Sequence, residues 1–78
     1  MKPIIYDRHA KRRMKERGVS ENETAHAIEN PDTNEPSMRG RANAYKFTGG
    51  RYLRITYREK PDCIMVITVT VRLKPFKE

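Results

Sequence analysis

Two stretches decide the fold: Arg51-Tyr52-Leu53-Arg54-Ile55-Thr56-Tyr57-Arg58 and, beyond a turn at Glu59-Lys60-Pro61-Asp62, Cys63-Ile64-Met65-Val66-Ile67-Thr68-Val69-Thr70-Val71-Arg72. Read at the period of two that a strand requires, each divides into two faces. The second is rich in Ile and Val, which suit a pleated, half-buried surface. In the first, Leu53, Ile55 and Tyr57 share one face, and Tyr52, Arg54, Thr56 and Arg58 share the other. In the second, alternation places Cys63, Met65, Ile67, Val69 and Val71 on one face and Ile64, Val66, Thr68, Thr70 and Arg72 on the other. Paired antiparallel, the strands present one apolar face and one face of Arg and Thr. The apolar face has to be covered, while the polar face can stay open to water.

Upstream, residues 41–48 form another strand-like run, joined to the first by the hairpin signal Gly49-Gly50. Two registers fit. A two-residue turn pairs Phe47 with Tyr52 and sends Tyr45 and Phe47 to the arginine face. A three-residue loop that includes Thr48 pairs Phe47 with Arg51 and sends both rings to the core. A slip of one residue flips every side chain, and the hydrophobic match favours the three-residue loop. Asp32 to Met38 reads as a short edge strand, against which Pro36 counts.

The N-terminal part is helical. Asp7 caps a first helix that ends before Gly18, and Tyr6, Ala10 and Met14 form its apolar stripe. Ser20-Glu21-Asn22-Glu23 is a capping box for a second helix, whose core side is Thr24, Ala25 and Ile28 and which Pro31 stops. The expected fold is α+β: two N-terminal helices packed on one face of a three- to four-stranded antiparallel sheet, in a single domain over residues 1–78.

The chain has 78 residues and a net charge of +7, unevenly distributed. Six basic residues crowd positions 8–17 against the single acid Glu16, and six more lie between 39 and 58 with no acid. Between these basic segments, residues 20–36 carry five acids and no Lys or Arg. Such a field steers polyanions toward the basic segments, so a nucleic acid is the expected class of partner, ahead of a surface that is merely solvated. One cysteine, Cys63, excludes an internal disulfide framework and fits a reducing compartment; it reads as a small core residue rather than a nucleophile. No apolar run is long enough for a membrane span or a signal peptide, so the expected setting is cytoplasmic, without membrane contact.

Metal ligation finds no support, because His9, His26 and Cys63 lack ligand spacing, and no phosphate-binding glycine loop is present; no cofactor is expected. What remains is arginine. Arg54, Arg58 and Arg72 share the open face, where forked guanidinium donors can hold phosphate and stabilise charge that develops on it. His9 has the right chemistry for a general acid or base, but the favoured reading is a helix-border residue bonded to Glu16 or a carbonyl. Arg13 and Arg17 read either as RNA contacts or as structural groups pairing with acids of the second helix. Lys46, Arg51 and Tyr52 complete the candidate RNA-binding set.

Residues Gly50 to Arg58, followed by Cys63 to Arg72, resemble the sheet of RelE/ParE-type toxins, which share the order of two helices followed by antiparallel strands. The segment His9-Ala10-Lys11-Arg12-Arg13-Met14-Lys15-Glu16-Arg17-Gly18-Val19-Ser20, with Ala27-Ile28-Glu29-Asn30-Pro31, is similar to a family of small uncharacterised domains distantly like BrnT and RelE toxins. The resemblance implies a RelE-like fold and cleavage of mRNA on the ribosome, with Arg54 and Arg72 at the scissile phosphate; in that reading Arg58 positions the backbone, His9 is an acid or base, and no metal is needed because the RNA 2′-hydroxyl can be the nucleophile. It also implies a cognate antitoxin that covers the basic face with an acidic or amphipathic segment. Lys46 stands on the strand that carries further basic residues in that branch, and Phe76 stands where the branch carries an aromatic hydroxyl. The ParE branch shares the fold but acts on gyrase, so the alternative is a non-catalytic nucleic-acid- or protein-binding module. The expected state is a monomer or weak dimer.

Overall fold

The structure, a computed structural model, describes residues 2–76. The elements run β1 (Ile4–Tyr6), α1 (Arg8–Arg17), α2 (Glu21–Glu29), β2 (Thr33–Pro36), a 3-10 turn (Met38–Gly40), β3 (Ala42–Thr48), β4 (Arg51–Glu59) and β5 (Ile64–Arg72). The strands form one sheet in the order β1-β5-β4-β3-β2. The α+β class is as expected, but the sheet has five strands and is mixed. β1 runs parallel to β5, with Ile4 opposite Ile64 and Tyr6 opposite Val66. A three-residue strand that pairs with the far end of the chain has too little local pattern to be read from sequence.

Both helices start where their caps dictate. The Asp7 carboxylate accepts from the His9 N–H at 2.7 Å. Ser20 and Glu23 close a reciprocal capping box. Gly18, at φ 65°, supplies the left-handed residue that ends α1. α1 lies over β5 and α2 over β3 and β4. Ala10 and Met14 of α1 are buried as expected; on α2 the buried residues are Thr24, Ala27 and Ile28, so Ala27 takes the place assigned to Ala25. Between helices and sheet, Leu53, Ile55, Val66 and Val69 are fully buried. Asn34 of β2 donates to the Tyr57 hydroxyl at 2.7 Å, which satisfies the one phenol in this core.

Two details of register depart from simple alternation. The β3–β4 connection is the two-residue turn: Phe47 pairs with Tyr52 and Thr48 with Arg51. Gly49 and Gly50 both have positive φ, 62° and 78°, the geometry that closes a two-residue hairpin. Tyr45 and Phe47 therefore lie on the arginine face and not in the core. The turn geometry available to two adjacent glycines outweighs the burial that the longer loop would have given these rings.

The second departure is an irregularity between Thr56 and Tyr57. Thr56 pairs with Thr68 but Tyr57 pairs with Val66, so Ile67 is an extra residue in β5. The bulge inverts the faces expected for the first half of that strand. Ile64 and Val66 are buried with the core, while Met65 lies opposite Arg58 on the open side. The second half keeps the expected alternation, so Thr68, Thr70 and Arg72 remain on the open face. At the outer edge of β5, β1 pairs only with residues 64–66, and the Arg17 guanidinium donates to the Val69 carbonyl at 3.1 Å.

The bulge makes a direct prediction. Ile64→Ala should destabilise the fold by about 3 kcal/mol, whereas Met65→Ala should cost less than about 1 kcal/mol. Chemical denaturation of both variants checks it, and the reverse order would mean that strict alternation runs through the whole of β5.

Candidate nucleic-acid interface

The open face is a lattice of cross-strand rows. One row runs Thr33, Tyr45, Arg54, Thr70; the next runs Phe47, Tyr52, Arg72. A third runs Glu35, Asn43, Thr56, Thr68, and Arg58 with Met65 lies beyond it. Arg54 and Arg72 are thus diagonal neighbours on adjacent strands, close enough for long side chains to meet one partner. That partner is Phe76. The chain past β5 turns back over the sheet and lays the Phe76 ring under both guanidiniums, with its centroid 5.0 Å from Cζ of Arg54 and 5.1 Å from Cζ of Arg72. Tyr45 meets the same ring edge-on at 5.6 Å.

This arrangement has a chemical consequence. A cation over a ring face is held by the ring quadrupole, while its N–H donors lie in the guanidinium plane. Phe76 therefore fixes where the two charges sit without occupying their donors. Among the described residues neither guanidinium makes a hydrogen bond or an ion pair, and the Arg54 Nε is buried without an acceptor. Two adjacent cations with unsatisfied forked donors form a receptor for a multidentate anion. Arg58, on the same face, donates instead to the Arg39 carbonyl at 3.0 Å and holds the 38–40 turn.

Beside Phe76 the rings of Tyr45, Phe47 and Tyr52 enclose a cleft of about 180 Å³, with Asp32 and Glu35 on its β2 side. Phe47 and Tyr52 pack against each other at 4.6 Å, and Phe47 stays half exposed. The Tyr45 hydroxyl donates to Glu35 Oε1 at 3.0 Å. Asp32 accepts from the Phe47 N–H at 2.8 Å and from Lys46 Nζ at 3.3 Å. The backbone N–H, and then the ammonium, hold its carboxyl below the usual range.

The remaining sequence candidates lie elsewhere. Arg51 is on the helix side, where it donates to the Arg17 carbonyl at 3.0 Å, the Gly18 carbonyl at 2.8 Å and Glu23 Oε2 at 2.8 Å. It joins the end of α1 and the start of α2 to the hairpin, the task expected of Arg13 and Arg17. Lys46 also faces the helix side, mostly buried and paired with Asp32. Arg13 pairs with Glu16 of its own helix at 3.2 Å. His9 is exposed on α1, so the sheet separates it from Arg54 and Arg72. The site thus keeps Arg54, Arg72, Arg58 and Tyr52, and adds Tyr45, Phe47, Glu35 and Phe76. Tyr45 and Phe47 follow from the turn register. The position of Phe76 is marked in the sequence only by the resemblance and not by spacing, because its contacts depend on where the chain reverses.

Comparison with known families decides the relationship. Residues 6–71 match the model of a domain of unknown function, DUF4258. The chain belongs to the DUF4258 family. No curated protein and no solved structure matches it. The match spans every helix of this DUF4258 domain and its strands from Tyr6 to Val71, with Arg54 inside it and Arg72 and Phe76 just beyond its end. Among the described residues no helix is long and apolar enough to cross a membrane.

Arg51 and Glu23 generate a prediction for the scaffold of this DUF4258 domain. Arg51→Ala removes three charge-assisted bonds and should cost about 2 kcal/mol, or about 10 °C in melting temperature. The Glu23 carboxyl is held below its usual range, first by the Ser20 backbone N–H and then by Arg51. A carboxyl lowered in the folded state stabilises it above the unfolded pKa and loses that contribution as pH falls through the folded pKa. The melting-temperature gap between wild type and Glu23→Gln should therefore be full at neutral pH and close as the solution is acidified below the carboxylate range. A gap independent of pH would show that the charge of Glu23 does not contribute.

Proposed function

We propose that the open sheet face binds RNA through the Arg54–Arg72 pair, and that the domain is a toxin-like protein that cleaves message without a metal ion. The observation that supports this reading is the pair itself: two guanidiniums from neighbouring strands, 5.0 and 5.1 Å from the centre of one ring, with no acceptor among the described residues. A phosphodiester is the anion that such a pair fits, and the chain's net charge of +7 favours its approach. In RNA cleavage the neighbouring 2′-hydroxyl attacks the phosphorus and the P–O5′ bond breaks, so the protein has to take a proton from the 2′-hydroxyl, return one to the departing 5′-oxygen and stabilise charge on the phosphorus oxygens. Arg54 and Arg72 serve the last task. For proton transfer the groups at hand are the Tyr45 hydroxyl and the Glu35 carboxylate bonded to it, since Tyr45 stands directly opposite Arg54. A cognate antitoxin would cover this face with an acidic or amphipathic segment.

A second reading, a non-catalytic binding module for nucleic acid or protein, is favoured by the position of His9. The chain's other histidine, His26, is an exposed residue of α2, so neither imidazole lies on the open face.

The two readings separate in a cell-free translation reaction with message integrity read by primer extension. Cleavage should be seen with wild type and should fall by about 100-fold or more in Arg54→Ala and in Arg72→Ala. In direct RNA binding each substitution should lower the slope of log affinity against log salt by roughly 0.7, the share of one phosphate contact on a single strand. Intact message at excess protein, with salt-dependent binding retained, would reject cleavage and leave the binding module. No RNA binding at low salt would reject both nucleic-acid readings.

A further inference from the structure

Among the described residues three buried side-chain polar atoms have no hydrogen-bond partner, and all three are arginine Nε atoms: those of Arg41, Arg54 and Arg58. An N–H cut off from water and left unpaired costs stability, and a ligand that brings an acceptor removes that cost. All three arginines belong to the open face. Arg54 is one of the pair on Phe76. Arg58 stands opposite Met65, and the β3–β4 register that pairs Ala42 with Tyr57 places Arg41 beside Arg58 one step further on. The Arg41 backbone is extended, at φ -88° and ψ 168°, and Ala42 packs against the core, so alternation sends Arg41 to the open side. The exposed residue Arg39 adds a third cation at this corner, and its carbonyl accepts from Arg58 at 3.0 Å. The acids nearest in sequence and register are engaged elsewhere. Glu59 pairs with Lys2 at 2.8 Å, and Glu35 accepts from the Tyr45 hydroxyl at the β2 end of its row.

We infer that Arg41 and Arg58 form a second phosphate subsite, filled by another phosphate of the strand whose first phosphate rests on Arg54 and Arg72. This rests on the RNA reading of the open face and sets the length of strand that the face engages. One phosphate cannot serve both pairs. Phe76 holds the Arg54 guanidinium beside Arg72, toward the Gly49-Gly50 end of the sheet, while the Arg39 carbonyl holds Arg58 at the other end. Arg54 and Arg58 are four residues apart on β4, about 13 Å at the rise of a strand. A nucleic-acid strand advances about 3.4 Å per phosphate when stacked and further when extended, so the subsites lie roughly two to four phosphates apart. The path between them crosses Thr56 and Thr68, which are paired across β4 and β5 and carry no charge. Donors remain for a ligand: Arg58 gives one of its five N–H groups to Arg39, and the Arg41 side chain makes no hydrogen bond among the described residues.

The test is fluorescence anisotropy with labelled hexauridylate, which has five internucleotide phosphates, and competition by unlabelled UpU, which has one. Arg41→Ala should weaken the hexamer about tenfold, the loss of one charge-assisted contact, and lower the slope of log affinity against log salt by roughly 0.7. The same variant should leave competition by UpU within about twofold of wild type, because a single phosphate fills only the Arg54–Arg72 pair. Arg58→Ala should act likewise. It also frees the 38–40 turn, so thermal melts accompany it, and Arg41→Ala decides the matter if Arg58→Ala does not fold. Lys11→Ala, on the exposed side of α1, removes the same charge and should cost less than about twofold. A hexamer loss in Arg41→Ala no larger than in Lys11→Ala would overturn the second subsite, and the Arg54–Arg72 reading would stand if Arg54→Ala still weakened binding. An equal loss on UpU would put Arg41 at the first phosphate and overturn it too. Losses in Arg41→Ala and Arg58→Ala with none in Arg54→Ala or Arg72→Ala would keep this subsite and overturn the reading of the pair on Phe76. No hexamer bound at low salt would overturn both.

Discussion

The Gly49-Gly50 turn assigns the faces of the sheet. With only two residues between β3 and β4, both at positive φ, Phe47 must stand opposite Tyr52 and Tyr45 opposite Arg54. Side chains in a strand alternate strictly, so this one choice sends Ala42, Ala44 and Lys46 toward the helices and two aromatic rings to the arginines. The core accepts the arrangement because Ala42 and Ala44, on the helix-facing side of β3, are small. Ala44 is fully buried beneath α2, where Tyr45 or Phe47 would have overfilled the space. Phe76 can reach both Arg54 and Tyr45 only because the turn has put them on one side.

The two faces of the sheet use arginine in opposite ways. On the helix side, Arg51 spends its donors on two backbone carbonyls and one carboxylate, and Arg17 on the Val69 carbonyl. Those guanidiniums act as struts between elements that would otherwise meet through few apolar contacts in a thin core. On the open side, Arg54 and Arg72 rest on a ring and keep their donors. The net charge of +7 thus overstates the charge free on the open face, since several of the chain's cations are structural.

Much of this was legible in the residues and some was not, for physical reasons. The caps at Asp7 and Ser20, the stop at Gly18 and the strands of the β4–β5 hairpin are local signals, and each appears where its chemistry places it. Arg54 and Arg72 on the open face also followed from alternation, because both lie on the same side of the bulge. β1 was not legible, since three residues carry no period and its partner is sixty positions away. Nor was the inversion at Ile67. A bulge is a property of pairing, and Cys63-Ile64-Met65-Val66 is apolar on both faces, so the composition allows either phase. The division of labour among the arginines depended on which side of β3 and β4 each residue took, which only the turn register settles.

The contact between Arg17 and the outer edge of β5 has a consequence for how this protein behaves in a crowded solution. β1 shields only the first third of β5, a nine-residue strand rich in Ile and Val. The remainder, Ile67 to Arg72, would be a template on which another chain could add a strand. The Arg17 guanidinium occupies the carbonyl of Val69 on that margin, and the bulge at Ile67 twists the strand just where β1 stops. A bulky, permanently charged side chain and a kink are two of the devices by which proteins discourage edge-to-edge self-association. The same arginine that ties α1 to the sheet thus also places a permanent charge on the margin where a further strand would have to add.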